Sequence, residues 1–292
     1  MSRAKRAIVL GGRTGLLGQA LATALAGAGW EVRPTSRTDL DPFDAAAVSA
    51  LLAEFKPERV FNTIAYTAVD LAEDESEAAY RLNRDLPALL GRLCEEAGTA
   101  LVHYSTDFVF DGDKDAPYVE DDQVNPQCVY GASKLAGEEA LLGLGLDETL
   151  IIRISWLFGP GKTNFVEKIL GFAKSREALK VVADQIGSPS YTPELAAISL
   201  ALVEAGGKGV FHAACSGQAS WRDLAAEAVA QAGLPCEVLP IPSSDYPQKA
   251  KRPAYSVFDL KKLTAATGMV PCDWRDAVRR YVRGDLGLGP KS

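Results

Sequence analysis

The chain has 292 residues, 47% of them hydrophobic and 24% charged, with a formal net charge of −7. That length can enclose one large core or two modest ones, and the negative balance argues against nucleic acid or an anionic membrane as partner. No apolar run reaches the length of a membrane span and no signal-peptide core precedes the first strand, so a cytoplasmic protein is expected.

Ala7-Ile8-Val9-Leu10 predicts a buried strand that opens into Gly11-Gly12-Arg13-Thr14-Gly15-Leu16-Leu17-Gly18. Gly12, Gly15 and Gly18 are spaced G-x-x-G-x-x-G, and Leu16, Leu17, Leu21, Ala24 and Leu25 then form one apolar helical face. A strand, a glycine turn and a helix N-terminus make an anion site from free backbone N–H groups and the helix dipole. Residues 12–18 are therefore expected to cradle the pyrophosphate of a dinucleotide. A second strand is predicted over 31–35. An acidic residue at the end of such a strand meets a free ribose 2′-hydroxyl, but Ser36-Arg37 follows here and Arg13 adds a second cation. Guanidinium groups suit a 2′-phosphate, so NADPH is the expected cofactor. Asp39 and Asp41 keep NADH open as well.

A helix over 45–55 and a strand ending at Asn62 come next, followed by the small-residue loop Thr63-Ile64-Ala65-Tyr66-Thr67-Ala68-Val69-Asp70. The C-terminal edge of an open parallel sheet is where such folds bind ligands. The acidic run 70–77 is expected to start one long helix through Asn83, Leu86 and Leu93, because carboxylates favour a helix N-terminus. A fourth strand over 101–105 delivers Thr106. A loop over 111–127 leads to a helix over 130–142, and a fifth strand spans 150–154. Strands that are apolar throughout and alternate with helices imply a parallel sheet covered on both faces.

Tyr130 and Lys134 stand four residues apart on that last helix, so phenol and ammonium can reach one spot. A fixed cation is expected to bring the phenol pKa down toward neutral pH, and Thr106 to hold a substrate oxygen beside it. Tyr and Lys at this spacing also occur as an ordinary solvated pair. The catalytic reading leans on the glycine turn upstream.

Past 155 the pattern loosens. A helix over 164–172 and, over 181–189, a strand entering a loop are expected, then a helix over 193–204 and a strand over 209–213 that return to the first sheet. The fold class is α/β: a doubly wound, Rossmann-type parallel sheet with a smaller C-terminal substrate-binding lobe. The expected division is 1–157, with segments around 180–215 returning to it, against 158–179 and 216–292. The five cysteines are widely spaced, an odd set that reads as reduced thiols, with Cys128 near Tyr130 a small apolar filler. His103 and His212 sit inside apolar runs. Their scarcity counts against a His-based hydrolase or a His-rich metal site, and no metal is expected.

Together the glycine turn, the 63–70 loop, Ser105-Thr106-Asp107-Phe108-Val109-Phe110-Asp111-Gly112 and Tyr130-x-x-x-Lys134 resemble an extended short-chain dehydrogenase/reductase. Ala65-Tyr66-Thr67-Ala68-Val69-Asp70, Ser155-Trp156, Asp184-Gln185-x-Gly187-x-Pro189 and Arg252-Pro253 narrow the resemblance to the dTDP-4-dehydrorhamnose reductase family, across nearly the whole chain. The resemblance implies NADPH-dependent reduction of the 4-keto group of a nucleotide sugar. It gives Thr106, Tyr130 and Lys134 the catalytic roles. The cofactor would meet Gly12, Arg13, Thr14, Gly15, Leu16, Leu17, Gly18, Arg37, Ile64 and Ala65 as well as Tyr130 and Lys134. The substrate would meet Thr67, Val69, Thr106, Trp156, Asn164 and Arg252. A homodimer is left open. Two other readings stay open beside it: another nucleotide-sugar ketoreductase or epimerase, and a non-catalytic cofactor-binding regulatory subunit. The chain departs from the family pattern at Phe108, commonly Tyr, at Thr63-Ile64, at 187–190 and at 255–257. Each departure bears on substrate fit, and none on the acid–base set.

Overall fold

The structure, a computed structural model, describes residues 5–146 and 148–289. The chain start at 1–4, the position 147 and the last three residues of the expected C-terminal lobe lie outside the described residues. The first half alternates as expected: β1 (Arg6–Leu10), α1 (Leu16–Gly27), β2 (Glu31–Pro34), α2 (Ala45–Phe55) and β3 (Arg59–Asn62). The acidic stretch departs from expectation. Instead of one long helix it forms α3 (Val69–Ala72), α4 (Ser76–Tyr80), a π turn at Arg81–Asp85 and α5 (Leu86–Glu96). The π turn swings the buried Asn83 toward the neighbouring helix, and π turns of this kind recur at functional sites. Next come β4 (Ala100–Thr106), α6 (Val129–Leu142) and β5 (Leu150–Ile154).

The second half carries β6 (Leu157–Phe158), α7 (Phe165–Ala173), β7 (Ala178–Val182), β8 (Ile186–Gly187), β9 (Ser190–Tyr191) and α8 (Thr192–Glu204). The stretch 181–189, expected as a strand entering a loop, carries the end of β7 and the short β8, and the Ala183 N–H still donates to the Ile241 carbonyl. β10 (Gly209–His212) rejoins the main sheet. It is followed by β11 (Ala219–Ser220), α9 (Trp221–Ala232), β12 (Glu237–Ile241), α10 (Lys261–Thr267) and α11 (Trp274–Arg279).

The main sheet runs β2-β1-β3-β4-β5-β10, and every pairing in it is parallel. Strand alternation explains how both faces are filled. Ala7, Val9, Phe61, Val102, Tyr104 and Ile152 pack toward α1 and α8. Ile8, Leu10, Val60, Leu101 and Ile151 pack toward α2 and α5. A separate apolar core forms where α7, α9 and α11 meet around Trp274, Tyr281 and Leu224. The two-stranded parallel sheet β7–β12 lies against α9.

The strand order reverses at β1, with β2 on one side and β3 on the other. The crevice above their carboxyl ends is therefore the topological switch point of the sheet. Register aligns Leu10 with Asn62 and Asn62 with His103. β4 then continues three residues further, to Thr106 opposite Ile154. At roughly 3.3 Å per residue this carries Thr106 about 10 Å beyond the end of β1. No helix among the described residues is long and apolar enough to cross a membrane.

Candidate active site

Each motif glycine answers to a contact. Gly11 takes a φ of 81°, in the left-handed region. A Cβ on Gly12 would stand 2.8 Å from Pro34 Cβ, one on Gly15 2.9 Å from the Gly11 carbonyl and one on Gly18 2.6 Å from the same oxygen. Side chains there would push α1 off β1. Gly15 is the N-cap residue of α1, and no side chain caps the helix. Its first-turn N–H groups are therefore available to an anion, which is what a pyrophosphate cradle requires. Leu17 faces the core, so its contribution to a ligand is its backbone.

Beside this turn Arg13 lies along the end of β2. It donates to the Pro34 carbonyl at 3.0 Å and pairs with Asp39 at 3.2 Å. Asp39 also takes the backbone and hydroxyl hydrogens of Ser36, both at 2.7 Å, and these bonds hold its carboxyl below the usual carboxylate range. Arg37 is exposed at the same corner. Two guanidinium groups thus flank the β2 end, one of them already paired.

α6 is pinned along its length, and the pins aim Tyr130. Glu73 accepts from the Val129 N–H at 2.8 Å, which closes the helix N-terminus from a distant loop. Gly131 permits the next contact: a Cβ there would stand 2.2 Å from the Phe108 carbonyl, so α6 rests directly on the turn that follows Thr106. Gly137 does the same against the backbone of Asn83, at 2.0 Å. Asn83 donates to Ser133 at 2.9 Å and exchanges hydrogen bonds with the Tyr66 backbone at 2.9 and 3.1 Å, tying α6 to the 63–70 loop. Glu138 and Arg153, both buried, close a bidentate pair with contacts of 2.7 to 3.2 Å. Breaking such a buried pair typically costs ~3–5 kcal/mol.

So held, Tyr130 packs edge-on against Phe108, with ring centroids 5.4 Å apart, and the Thr106 hydroxyl lies beside its phenol. Lys134 is 2% exposed. Its ammonium donates to the Tyr104 carbonyl at 2.5 Å and stands 3.4 Å from His103 Nε2. This corrects the expectation that Lys134 depresses the Tyr130 pKa directly. Burial pushes the phenol up, with the Thr106 hydroxyl opposing and Asp107 adding to it, and the lysine is not among the groups that act on it. Burial also pushes Lys134 down to about 8, against the pull of Glu138.

The contacts around His103 make a chain. The Ile64 N–H donates to Asn62 Oδ1 at 3.2 Å, so Asn62 Nδ2 faces His103 Nδ1 at 3.1 Å. Burial holds this imidazole far below its usual pKa, with Lys134 adding to the effect, so it is neutral.

Two of the expected substrate residues have other engagements. Asn164 caps α7, accepting from Val166 and Glu167, and donates to Tyr281 at 2.7 Å and to the Gly159 carbonyl at 3.0 Å. Its amide is consumed in holding the 159–167 turn. Arg252 forms a two-pronged pair with Asp70 at 2.8 and 2.9 Å, which brings the carboxyl down to about 2. Ala250 N–H joins at 3.0 Å, so this cluster closes the 249–252 segment over α3. Thr67 is exposed and Val69 half-buried on the same rim. Trp156 takes a positive φ of 46°. It stacks on Trp221 at 3.7 Å, and a Cβ on Gly187 would stand 2.6 Å from it. Backbone strain of this sort costs ~1–3 kcal/mol, which the stacking and ring burial offset.

Four site residues carry no role in the expected set: Asn62, Asn83, Asp107 and Ser256. Asp107 is buried beside Thr106 and receives the Ser256 hydroxyl at 2.7 Å. The available signal was a polar residue inside an apolar pattern, as at Asn83 within 79–90. Burial and long-range pairing are what mark them.

A doubly wound parallel sheet with a glycine turn at its switch point and a Tyr-x-x-x-Lys helix beside it defines an NAD(P)-dependent enzyme of the extended short-chain dehydrogenase/reductase class. The sequence profile described as the RmlD substrate binding domain matches residues 6–285. The chain is 39% identical over 287 residues to dTDP-4-dehydrorhamnose reductase of Aggregatibacter actinomycetemcomitans, covering 93% of this chain and 97% of that protein. It is 37% identical over 276 residues to the spore coat polysaccharide biosynthesis protein SpsK of Bacillus subtilis (strain 168), covering 94% and 96%. Among solved structures, dTDP-4-dehydrorhamnose reductase from Bacillus anthracis str. Ames in complex with NADP superposes with a TM-score of 0.91 at 32% identity, covering 96% of this chain and 99% of that one. This chain belongs to the RmlD substrate binding domain family.

Proposed function

We propose that this protein reduces the 4-keto group of a nucleotide sugar with NADPH, and that its substrate is dTDP-4-dehydro-L-rhamnose, converted to dTDP-L-rhamnose. The observation that carries the reading is the placing of the Tyr130 phenol beside the Thr106 hydroxyl at the sheet's C-terminal edge. The relatives' names supply the sugar class.

In this reading Gly12, Thr14, Gly15 and Gly18 with the N–H groups of Leu16 and Leu17 hold the pyrophosphate, and Arg13 and Arg37 meet the 2′-phosphate. Ile64, Ala65 and Lys134 border the nicotinamide ribose. NADPH, when bound, supplies the hydride. Tyr130 donates the proton to the ketone oxygen, and its raised pKa keeps that proton in place at working pH. A phenol of this kind is a weak acid, so it gives up its proton only as negative charge builds on the oxygen. Thr106 stands beside that oxygen, and the Lys134 charge supports the site from behind Tyr104. Thr67, Val69 and Trp156 would line the sugar-nucleotide pocket, while Asn164 and Arg252 shape its walls. Residues 1–157 with the 180–215 segments form the cofactor-binding unit, and 158–179 with 216–292 the substrate-binding one. Five free thiols suit a reducing cytoplasm.

The test is NADPH consumption against a panel of 4-keto sugar nucleotides that differ in base and sugar. Fastest turnover with the dTDP rhamnose precursor is expected. Faster turnover of another keto sugar reassigns the substrate. Cofactor binding without turnover of any keto sugar overturns the reductase reading in favour of a regulatory subunit.

A further inference from the structure

Asp107 is a buried carboxylate with no cation to balance it. It is 2% exposed, and no charged group acts on it among the described residues. Burial penalises an ionised carboxylate unless other groups satisfy it. Here the compensation comes from hydroxyl and backbone hydrogens. Ser256 Oγ donates to Oδ2 at 2.7 Å and Thr106 Oγ1 donates to Oδ1 at 3.1 Å, with nearby backbone N–H groups adding to their effect. These bonds do not cancel the burial, which pushes Asp107 up to about 6.

Ser256 comes from the far end of the chain and is itself fixed. Its N–H donates to the Ile186 carbonyl at 2.8 Å, and parallel bridges Ile186↔Tyr255 and Tyr118↔Phe258 flank it. Phe258 N–H donates to Ser188 Oγ at 3.1 Å. The serine therefore brings the C-terminal segment into contact with the group next to the proton donor. Thr106 has one hydroxyl hydrogen, and Asp107 takes it. The threonine oxygen also accepts from Phe108 N–H at 3.2 Å, and the hydroxyl fixed in this way lies beside the phenol of Tyr130.

We propose that Asp107 and Ser256 are positioning residues for the proton donor: Ser256 and Thr106 both donate to Asp107, and this fixes the Thr106 hydroxyl beside Tyr130. This rests on the reading of Tyr130 as the acid. The groups facing Asp107 are Thr106 on its own turn, Ser256 on the C-terminal segment and Tyr130 on α6, with the Cys128 thiol behind the phenol. Of these only Tyr130 and Cys128 titrate, and neither carries a charge while Asp107 protonates. Once protonated, Asp107 no longer accepts both hydroxyls, Thr106 turns, and the alignment at the phenol is lost. Activity then falls as pH drops through the Asp107 titration.

The experiment compares wild type, Asp107→Asn, Ser256→Ala and Ser256→Thr in two measurements. The first follows the side-chain carboxyl carbons by 13C NMR against pH. One aspartate is expected to titrate well above the ordinary carboxylate range. It is absent in Asp107→Asn, moves higher still in Ser256→Ala because a bond to the ionised form is gone, and returns in Ser256→Thr. The second takes kcat and KM against pH with NADPH and the keto sugar. Ser256→Ala should lower kcat about tenfold, the usual effect of one hydrogen bond to a charged group, leave the KM for NADPH unchanged and shift the acid limb upward. Ser256→Thr should restore both. Ser256→Ala removes a single hydroxyl and remains informative if Asp107→Asn does not fold. An Asp107 resonance in the ordinary range, or a Ser256→Ala enzyme with unaltered titration and kcat profile, overturns the proposal. A wild type that consumes no NADPH overturns the reductase reading instead, and the NMR titration alone then decides the hydrogen-bond chain.

Discussion

The ammonium of Lys134 is bound to the backbone carbonyl of Tyr104, 2.5 Å away, on the strand that ends in Thr106. The lysine is therefore held by the sheet and not by the tyrosine one helical turn before it. Its pKa of about 8, lowered by burial, makes its charge conditional on pH. Because the value lies below that of a free lysine, the charge is present below about pH 8 and lost above it. NADPH affinity should weaken as pH rises from 7 to 9.5, with a midpoint near 8, in fluorescence titrations. Lys134→Met should bind weakly at every pH and show no such midpoint.

Tyr130→Phe removes the proton donor and keeps the ring against Phe108. General acid catalysis contributes about 10²–10⁴-fold. Turnover should fall by that much, while the NADPH dissociation constant stays within about twofold of wild type. Equal turnover in the two proteins would remove Tyr130 from the mechanism.

Gly131→Ala tests whether the helix–turn contact aims the phenol. The added methyl would stand 2.2 Å from the Phe108 carbonyl, a backbone atom, so α6 must move. Overpacking of this kind typically costs ~1–3 kcal/mol. A lower melting temperature together with a kcat loss approaching that of Tyr130→Phe is expected. Ala132→Gly, next along the same helix, serves as the control and should cost only ~1 kcal/mol of helix propensity, with kcat retained.

Arg252→Lys keeps the charge but cannot reproduce the two-pronged contact with Asp70. The 249–252 segment should loosen over α3, raising the KM for the nucleotide sugar several-fold with little change in kcat. Faster hydrogen exchange confined to 249–253 and 66–75 would report the same opening. An Arg252 that touches the substrate directly would instead lower kcat as well.

Trp221→Leu should disturb the sugar pocket without disturbing the cofactor. Trp156 is strained at φ 46° and lies between Trp221 and Gly187. Losing the stack frees the indole, so KM for the nucleotide sugar should rise about tenfold, in keeping with ~0.5–1.5 kcal/mol for an aromatic pair. Isothermal titration with NADPH should be unchanged.

What the amino-acid order determined by itself was everything governed by neighbours in the chain. Periodicity marked the parallel strands and the helices of the first half, glycine spacing marked the turn above β1, and the interval from Tyr130 to Lys134 set both on one helix. These features follow from backbone geometry over a few residues, so they are legible in a string of letters. The tertiary structure decided which partner each polar group meets. Lys134 turned to Tyr104 and His103, Asn164 to the α7 cap and Arg252 to Asp70, and Asp107 received Ser256 from 149 positions away. Hydrogen bonding and burial act over a few ångströms in space whatever the separation along the chain. They therefore set the charge of the site only once the sheet has closed.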